Sequence, residues 1–193
     1  LPEPELRVRR TASLFLMGIG GTGVVTVNQI LGTAALLDGK HVAGLDQTGL
    51  SQKGGPVVSH LRIGETAGDV SGKVGVADAD LYLGFDLLVA TAAPNLLRAR
   101  PDLTIAVVST TQGPTGAMVA STDVAFPDPG GLLASVNRVS RKDENVFVDA
   151  LGLGEALFGD HMAANLILLG AAYQAGAIPV RAAAIEEAIR INA

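Results

Sequence analysis

The sequence predicts an α/β domain: a three-layer sandwich around a mainly parallel, mixed sheet with a Rossmann-like start. Three observations lead there. An apolar run, ASLFLM at residues 12–17, passes through the glycine loop GIGGTG (18–23) into a segment of helical periodicity. Strand-like and helix-like segments then alternate along the rest of the chain. Finally, the connection from Asp46 to the third strand is about ten residues long and glycine-rich, whereas a parallel crossover needs a dozen or more. An antiparallel pairing, or a turn off the sheet, is expected there.

Residues 12–17 read as a short buried strand. In VVTVNQILGTAALL (24–37), Val24, Val27, Ile30, Leu31, Ala34 and Leu37 share one helical face, and Gly39 supplies a stop. HVAGLD (41–46) and PVVSHLRI (56–63) form the second and third strands, with further strands at 80–83, 104–109 and 146–148. Helices are expected near 86–99, 129–138, 161–175 and 181–190, the last with Ile185, Ala188 and Ile189 on one side. The stretch 110–131 holds the densest turn signals and reads as exposed. There is no internal repeat. One domain, residues 11–193, is expected after a terminal extension, 1–10, whose sequence LPEPELRVRR without an initiating methionine suggests a segment of a longer chain.

Composition removes several function classes. The net charge is −5, and the only basic cluster lies between Arg7 and Arg10, so a nucleic-acid footprint is not expected. With no cysteine, the chain can form neither a disulfide nor an all-cysteine iron–sulfur or zinc site. His41, His60 and His161 lack metal-ligand spacing. The apolar run Met162–Ile178 is shorter than the ~20 residues a bilayer span requires and contains Asn165 and Gln174, so it reads as a buried helix. A cytoplasmic protein without a membrane anchor is expected. Charged residues make up 17 % of the chain, against ~25 % in typical soluble domains. This thin charge coat implies either an unusually generous core or a surface partly covered by a partner, the second being the favoured reading.

Gly18, Gly20, Gly21, Thr22 and Gly23 belong to a G-x-G-x-x-G loop with a strand before it and a helix after it. Glycines there permit a sharp turn and close approach, and the helix N-terminus favours an anion. Asp46 follows where a ribose-binding acid would sit. Taken alone this suggests a nicotinamide dinucleotide, but the short connection after Asp46 argues against a repeated βαβ unit. The readings left open are an anion loop, a stand-alone NAD(P)-dependent dehydrogenase, and tight strand–helix packing in a scaffold module with no ligand.

The second motif is LDQTGLSQKGGPVVSHLRI (45–63). Its loop concentrates Gln47, Thr48, Ser51, Gln52, Lys53, Gly54 and Gly55 in a chain otherwise sparing with polar side chains. Along the following strand Val57, Ser59, Leu61 and Ile63 take one face, and Val58, His60 and Arg62 the other. Both loops are expected at strand carboxyl ends, where α/β folds bind ligands. Asp46, Ser51, Gln52, Lys53, Gly54, Gly55, His60 and Arg62 are the candidate substrate- or partner-facing residues.

GIGGTGVVTVNQIL, LDQTGLSQKGGPVVSHLRIG and VADADLYLGFDLL, continued by GPTGAMVAS, HMAANLILLGAAYQAGAIP and AIEEAI, together resemble the gamma-type domain of 2-oxoacid:ferredoxin oxidoreductases. The D-Q-T-G-L-S-Q-K-G-G variant most resembles the indolepyruvate branch. The resemblance implies a part of an enzyme that oxidatively decarboxylates a 2-oxoacid (indolepyruvate or another arylpyruvate) to an acyl-coenzyme A, with ferredoxin accepting electrons. It implies thiamine diphosphate, magnesium and iron–sulfur clusters held by partner domains, coenzyme A as co-substrate, and no cofactor held by this chain alone. A homodimer is a further possibility. Lys53 is then the candidate phosphate or carboxylate partner. Thr22 and the amides of Gly20, Gly21 and Gly23 are the candidate phosphate cradle.

Overall fold

The computed structural model describes residues 3–48, 55–114, 116–120, 123, 125–160 and 163–192. In chain order these form β1 (Ala12–Ile19), α1 (Val24–Leu37), β2 (His41–Thr48), β3 (Pro56–Gly64), β4 (Leu81–Gly84), α2 (Leu87–Ala90) and α3 (Ala93–Leu96). Then come β5 (Ile105–Ser109), α4 (Gly116–Ala120), α5 (Pro129–Arg138), β6 (Val146–Val148), α6 (Ala150–Phe158), α7 (Ala164–Gln174) and α8 (Ala182–Asn192). The six strands make one mixed sheet in the order β2-β3-β1-β4-β5-β6. β1, β4, β5 and β6 run parallel, while β3 is antiparallel to both of its neighbours, β1 and β2. The short link after Asp46 therefore does what its length dictates. It joins an antiparallel pair.

Helices cover both faces. Along β1, Leu14 and Leu16 point into a core with α1, α7 and α8, whereas Phe15 and Met17 point into a second core with α2 and α5. A strand buried on both sides needs a continuous apolar run rather than alternation, which is why ASLFLM was legible. Val24, Val27, Ile30, Leu31 and Ala34 are buried on α1 as their spacing predicts, but Leu37 is 47 % exposed and Ala35 is buried instead. Gly39 closes the helix with φ +74°.

Three expectations need correcting. The single helix near 86–99 is two four-residue helices, because Ala92 is extended ahead of Pro94, which takes the first turn of α3. Neither α4, within the stretch read as turns, nor α6 was anticipated; the local signal for α6 is Asp149, whose carboxylate accepts from the Gly152 amide at the N-terminus. β2 extends past Asp46 to Thr48.

Residues 3–10 lie against the domain. The Arg7 amide donates to Gly176 O at 2.9 Å, and Glu3 accepts from the Tyr173 hydroxyl and from the Ala182 amide. Arg9 donates twice to Asp80, at 2.7 Å from both Nε and NH2, and its NH2 also reaches Asp78 at 3.1 Å. The Ser13 amide donates to the same fully buried Asp80. Together with Arg62–Asp78 (2.7 Å) this network seals the amino-terminal edge of the parallel strands.

Candidate functional site

The carboxyl edge is built differently. β1 leaves the sheet at Ile19, and the glycine loop turns back into α1. A Cβ at Gly18 would lie 2.5 Å from Thr22 Oγ1 and 3.0 Å from Phe85 Cβ, so this glycine is demanded by packing. Gly21 (φ +99°) and Gly23 (φ +83°) occupy the left-handed region that glycine tolerates. A Cβ at Gly23 would sit 2.3 Å from Asn165 Nδ2, on the first turn of α7. The loop thus brings the starts of α1 and α7 into contact.

Not every candidate donor of the loop is free. The Gly20 amide donates to Gly55 O (2.9 Å), the Thr22 amide to Ile19 O (3.0 Å), and the Thr22 hydroxyl to the same carbonyl (2.7 Å). Those bonds set the turn. The amides left for a ligand are those of Gly21, Gly23, Val24, Val25 and Thr26, since the Val27 amide already donates to Gly23 O at 2.9 Å.

A cleft of about 620 Å³ opens beside this loop, between α1, α7 and the carboxyl ends of β4 and β5. Thr22, Thr26, Asp86, Ser109, Thr111 and Asn165 supply its polar groups, and Phe85, Leu151 and Leu168 are among its apolar walls. No lysine or arginine lines it among the described residues. Neither α1 nor α7 has a side-chain N-cap or an acid in its first turn. By contrast α5 is closed by the Asp128 carboxylate away from this cleft, and α6, whose first residues Ala150 and Leu151 line the cleft, is closed by the Asp149 carboxylate. Among the described residues the first-turn amides of α1 at the cleft have no side-chain acceptor, an arrangement suited to an anion, while at α7 the Leu166 amide donates to Asn165 Oδ1 at 2.8 Å.

Asp86, two residues beyond β4, is the N-cap of α2, is only 6 % exposed, and accepts from the Val89 amide at 2.8 Å. Burial pushes its carboxyl above the ordinary aspartate range, opposed by the α2 backbone amides. Thr111 donates to Asp149 at 2.7 Å; that bond, with the Gly152 amide, holds the Asp149 carboxyl below its usual range.

A second cleft of similar size lies on the other face of the sheet, beside Ile19, Gln47, Thr48, Pro56 and Val58. Asp86 borders both. Ser51, Gln52, Lys53 and Gly54 lie outside the described residues. Their flanks, Thr48 and Gly55, stand at this edge, and the Gly20–Gly55 bond joins the polar loop to the glycine loop.

The other candidates are placed elsewhere. Asp46 accepts from Asn28 Nδ2 (2.9 Å) and from Ser59 Oγ. With β3 inserted between β1 and β2, Asp46 is one strand further from the glycine loop than in a dinucleotide fold. His60 shares a face with Arg62 as its strand parity predicts, but it is 1 % exposed and packs on Phe15 with ring centroids 5.0 Å apart. Its Nδ1 accepts from the Val74 amide (3.1 Å) and its Nε2 pairs with Gln47 Oε1 (3.1 Å). Desolvation, aided by Arg98 and Lys73, lowers its pKa to about 4. Arg62 does not adjoin Thr48 and Gly55, the described flanks of the polar loop. It pairs with Ser13 at the opposite end of β1, five residues from Val57 and so roughly 17 Å away.

Asp86, Ser109, Thr111 and Asn165 escaped the sequence reading. Asp86 and Ser109 had a usable signal, a polar residue at the carboxyl end of a strand. Asn165 had only its isolation within an apolar run.

Residues 13–193 match the family described as pyruvate ferredoxin/flavodoxin oxidoreductase. The indolepyruvate oxidoreductase subunit IorB of Pyrococcus horikoshii is 30 % identical over 186 residues, spanning 93 % of this chain and 85 % of that protein. The IorB subunit of Thermococcus kodakarensis is 29 % identical over 185 residues, with the same coverage of 93 % and 85 %. Among solved structures, the pyruvate oxidoreductase subunit PORC from Thermotoga maritima matches with a TM-score of 0.64 at 20 % identity, over 95 % of this chain and 85 % of that one. The 2-oxoglutarate:ferredoxin oxidoreductase from Magnetococcus marinus matches with a TM-score of 0.60 at 13 % identity, over 93 % of this chain but 27 % of its own. These structural likenesses bear on the fold.

Proposed function

The chain belongs to the pyruvate ferredoxin/flavodoxin oxidoreductase family, and from that membership we propose that it is a non-autonomous part of an indolepyruvate- or arylpyruvate-oxidising, thiamine diphosphate-dependent enzyme. In this reading it is the small, IorB-like subunit of a 2-oxoacid:ferredoxin oxidoreductase. Its partners hold thiamine diphosphate, magnesium and the iron–sulfur clusters, and ferredoxin removes the electrons as the acyl group passes to coenzyme A. One feature supports dependence on partners. The sequence has no cysteine with which to hold a cluster. No described helix is long and apolar enough to cross a membrane, and a cytoplasmic enzyme fits the reading.

The observation that carries the role of this chain is the glycine loop and the uncapped N-terminus of α1 opening onto one cleft at the carboxyl edge, with Asn165 at the start of α7 beside them. We assign that cleft to the coenzyme A side of the active site, with the phosphate-bearing part of the ligand at the glycine loop. To Lys53, in the adjoining sequence, we assign the role of a flexible positive charge. In the assembled enzyme, Lys53→Ala is expected to weaken subunit assembly or raise the apparent KM for coenzyme A. Unchanged assembly and kinetics would leave it an ordinary surface lysine. Calorimetric titration of the chain with coenzyme A, phosphate and NAD tests the cleft itself. Tight binding of NAD alone, or turnover of a nicotinamide substrate by the isolated chain, would overturn the assignment.

A further inference from the structure

Asp86 is a buried acid with an uneven set of partners. It stands between the two clefts, where β4 meets α2, one residue after the Phe85 side chain that touches the glycine loop. Its recorded partners are backbone amides of α2, and no arginine or lysine lines either cleft among the described residues. A Cβ on Gly113 would come within 3.6 Å of Asp86 Oδ2, so the missing side chain there leaves that oxygen room on the cleft side. The main cleft is therefore bipolar. One wall carries free helix amides, the other a carboxyl.

We infer that Asp86 is a ligand-contacting residue that orients what enters the main cleft, accepting a hydrogen bond from an uncharged amide N–H or hydroxyl of a ligand whose anionic group lies at the glycine loop. An anion placed at Asp86 would meet like charge in a poorly solvated site, which costs far more than the same approach in water. The ligand class is thus a molecule with a phosphate-type end and a neutral, donor-bearing midsection, held in one direction only. The raised pKa has the same origin, since a carboxyl lacking water and cations gains most from a donor supplied by a ligand. This inference rests on the coenzyme A assignment above and adds to it a residue and a direction.

The test is Asp86→Asn in the assembled enzyme at pH 8, with coenzyme A and inorganic pyrophosphate as probes. Asparagine caps a helix about as well as aspartate, so the melting temperature should stay close to that of the parent. The KM for coenzyme A should rise about tenfold or more, the usual effect of losing a hydrogen bond to a charged group. Competitive inhibition by pyrophosphate should become severalfold tighter, because a repelling charge has been removed. These changes have opposite signs, which general damage to the site would not produce. A KM for coenzyme A within twofold of the parent, or pyrophosphate binding weakened along with it, overturns the inference. If Gly23→Ala and Asn165→Asp also leave coenzyme A kinetics untouched, the underlying assignment of the cleft has failed as well.

Discussion

The two edges of the sheet use charge in opposite ways. At the amino edge Asp80 is fully buried yet answered by the Arg9 guanidinium and the Ser13 amide, while Asp78 is shared by Arg9 and Arg62. At the carboxyl edge Asp86 is almost as buried and has backbone partners but no cation among the described cleft residues, and the α1 N-terminus opens uncapped onto the cleft. Burying a charge is tolerated when it is paired and hydrogen-bonded. The amino edge obeys that rule within the chain. The carboxyl edge leaves the complement to be supplied from outside, and that difference separates a structural network from a ligand site.

The largest test of this contrast is Asp80→Ala. It leaves the Ser13 amide unpaired and dissolves the Arg9 clamp, but Arg9 can retreat into water. A loss of about 3–4 kcal/mol is expected in urea denaturation, with the cleft residues unmoved. Asp86→Asn, at the opposite edge, should leave stability nearly unchanged.

The next effect comes from His60. Its folded pKa of about 4 lies below the ordinary value of 6.5, with burial as the first cause. The unfolded chain therefore binds more protons between those limits, so stability is full above roughly pH 6.5, falls as pH drops, and levels off below about pH 4. The expected total is about 3 kcal/mol. Melting curves from pH 7 to pH 4 should show this slope, flattened in His60→Gln. An equal slope in the variant would assign the acid sensitivity to other groups.

The smallest shift in stability, and the sharpest in meaning, is expected from Asn165→Asp. A negative charge in the first turn of α7 should stabilise that helix by about 0.5 kcal/mol. The same charge should weaken binding of phosphate-bearing ligands, because it takes the place of the anion. Stability and affinity that rise together would contradict an anion site at this edge.

Much of the frame was legible because its signals are local. Apolar runs, helical periodicity and the stop at Gly39 each reside within a few residues of one another, and the ten-residue link after Asp46 excluded a parallel crossover. Asp128 and Asp149 show the limit of such reading. Each caps its own helix across two or three residues, yet α6 escaped notice because its apolar face is short and carries two glycines. His60 and Arg62 were assigned to the correct face of β3, but parity says nothing about depth or about which end of the sheet a residue occupies.

By itself, then, the sequence determined the alternation of strands and helices, the reversed third strand, the glycine loop and the family resemblance, all carried by short-range pattern. Only the tertiary structure decided that Asn165 would close over Gly23, that the Gly20 amide would be taken by Gly55, and that Asp86 would be buried without a cation. Backbone propensity acts between neighbours in the chain. Desolvation and hydrogen-bond availability depend on what packs against an atom, and those neighbours come from segments far apart in the sequence.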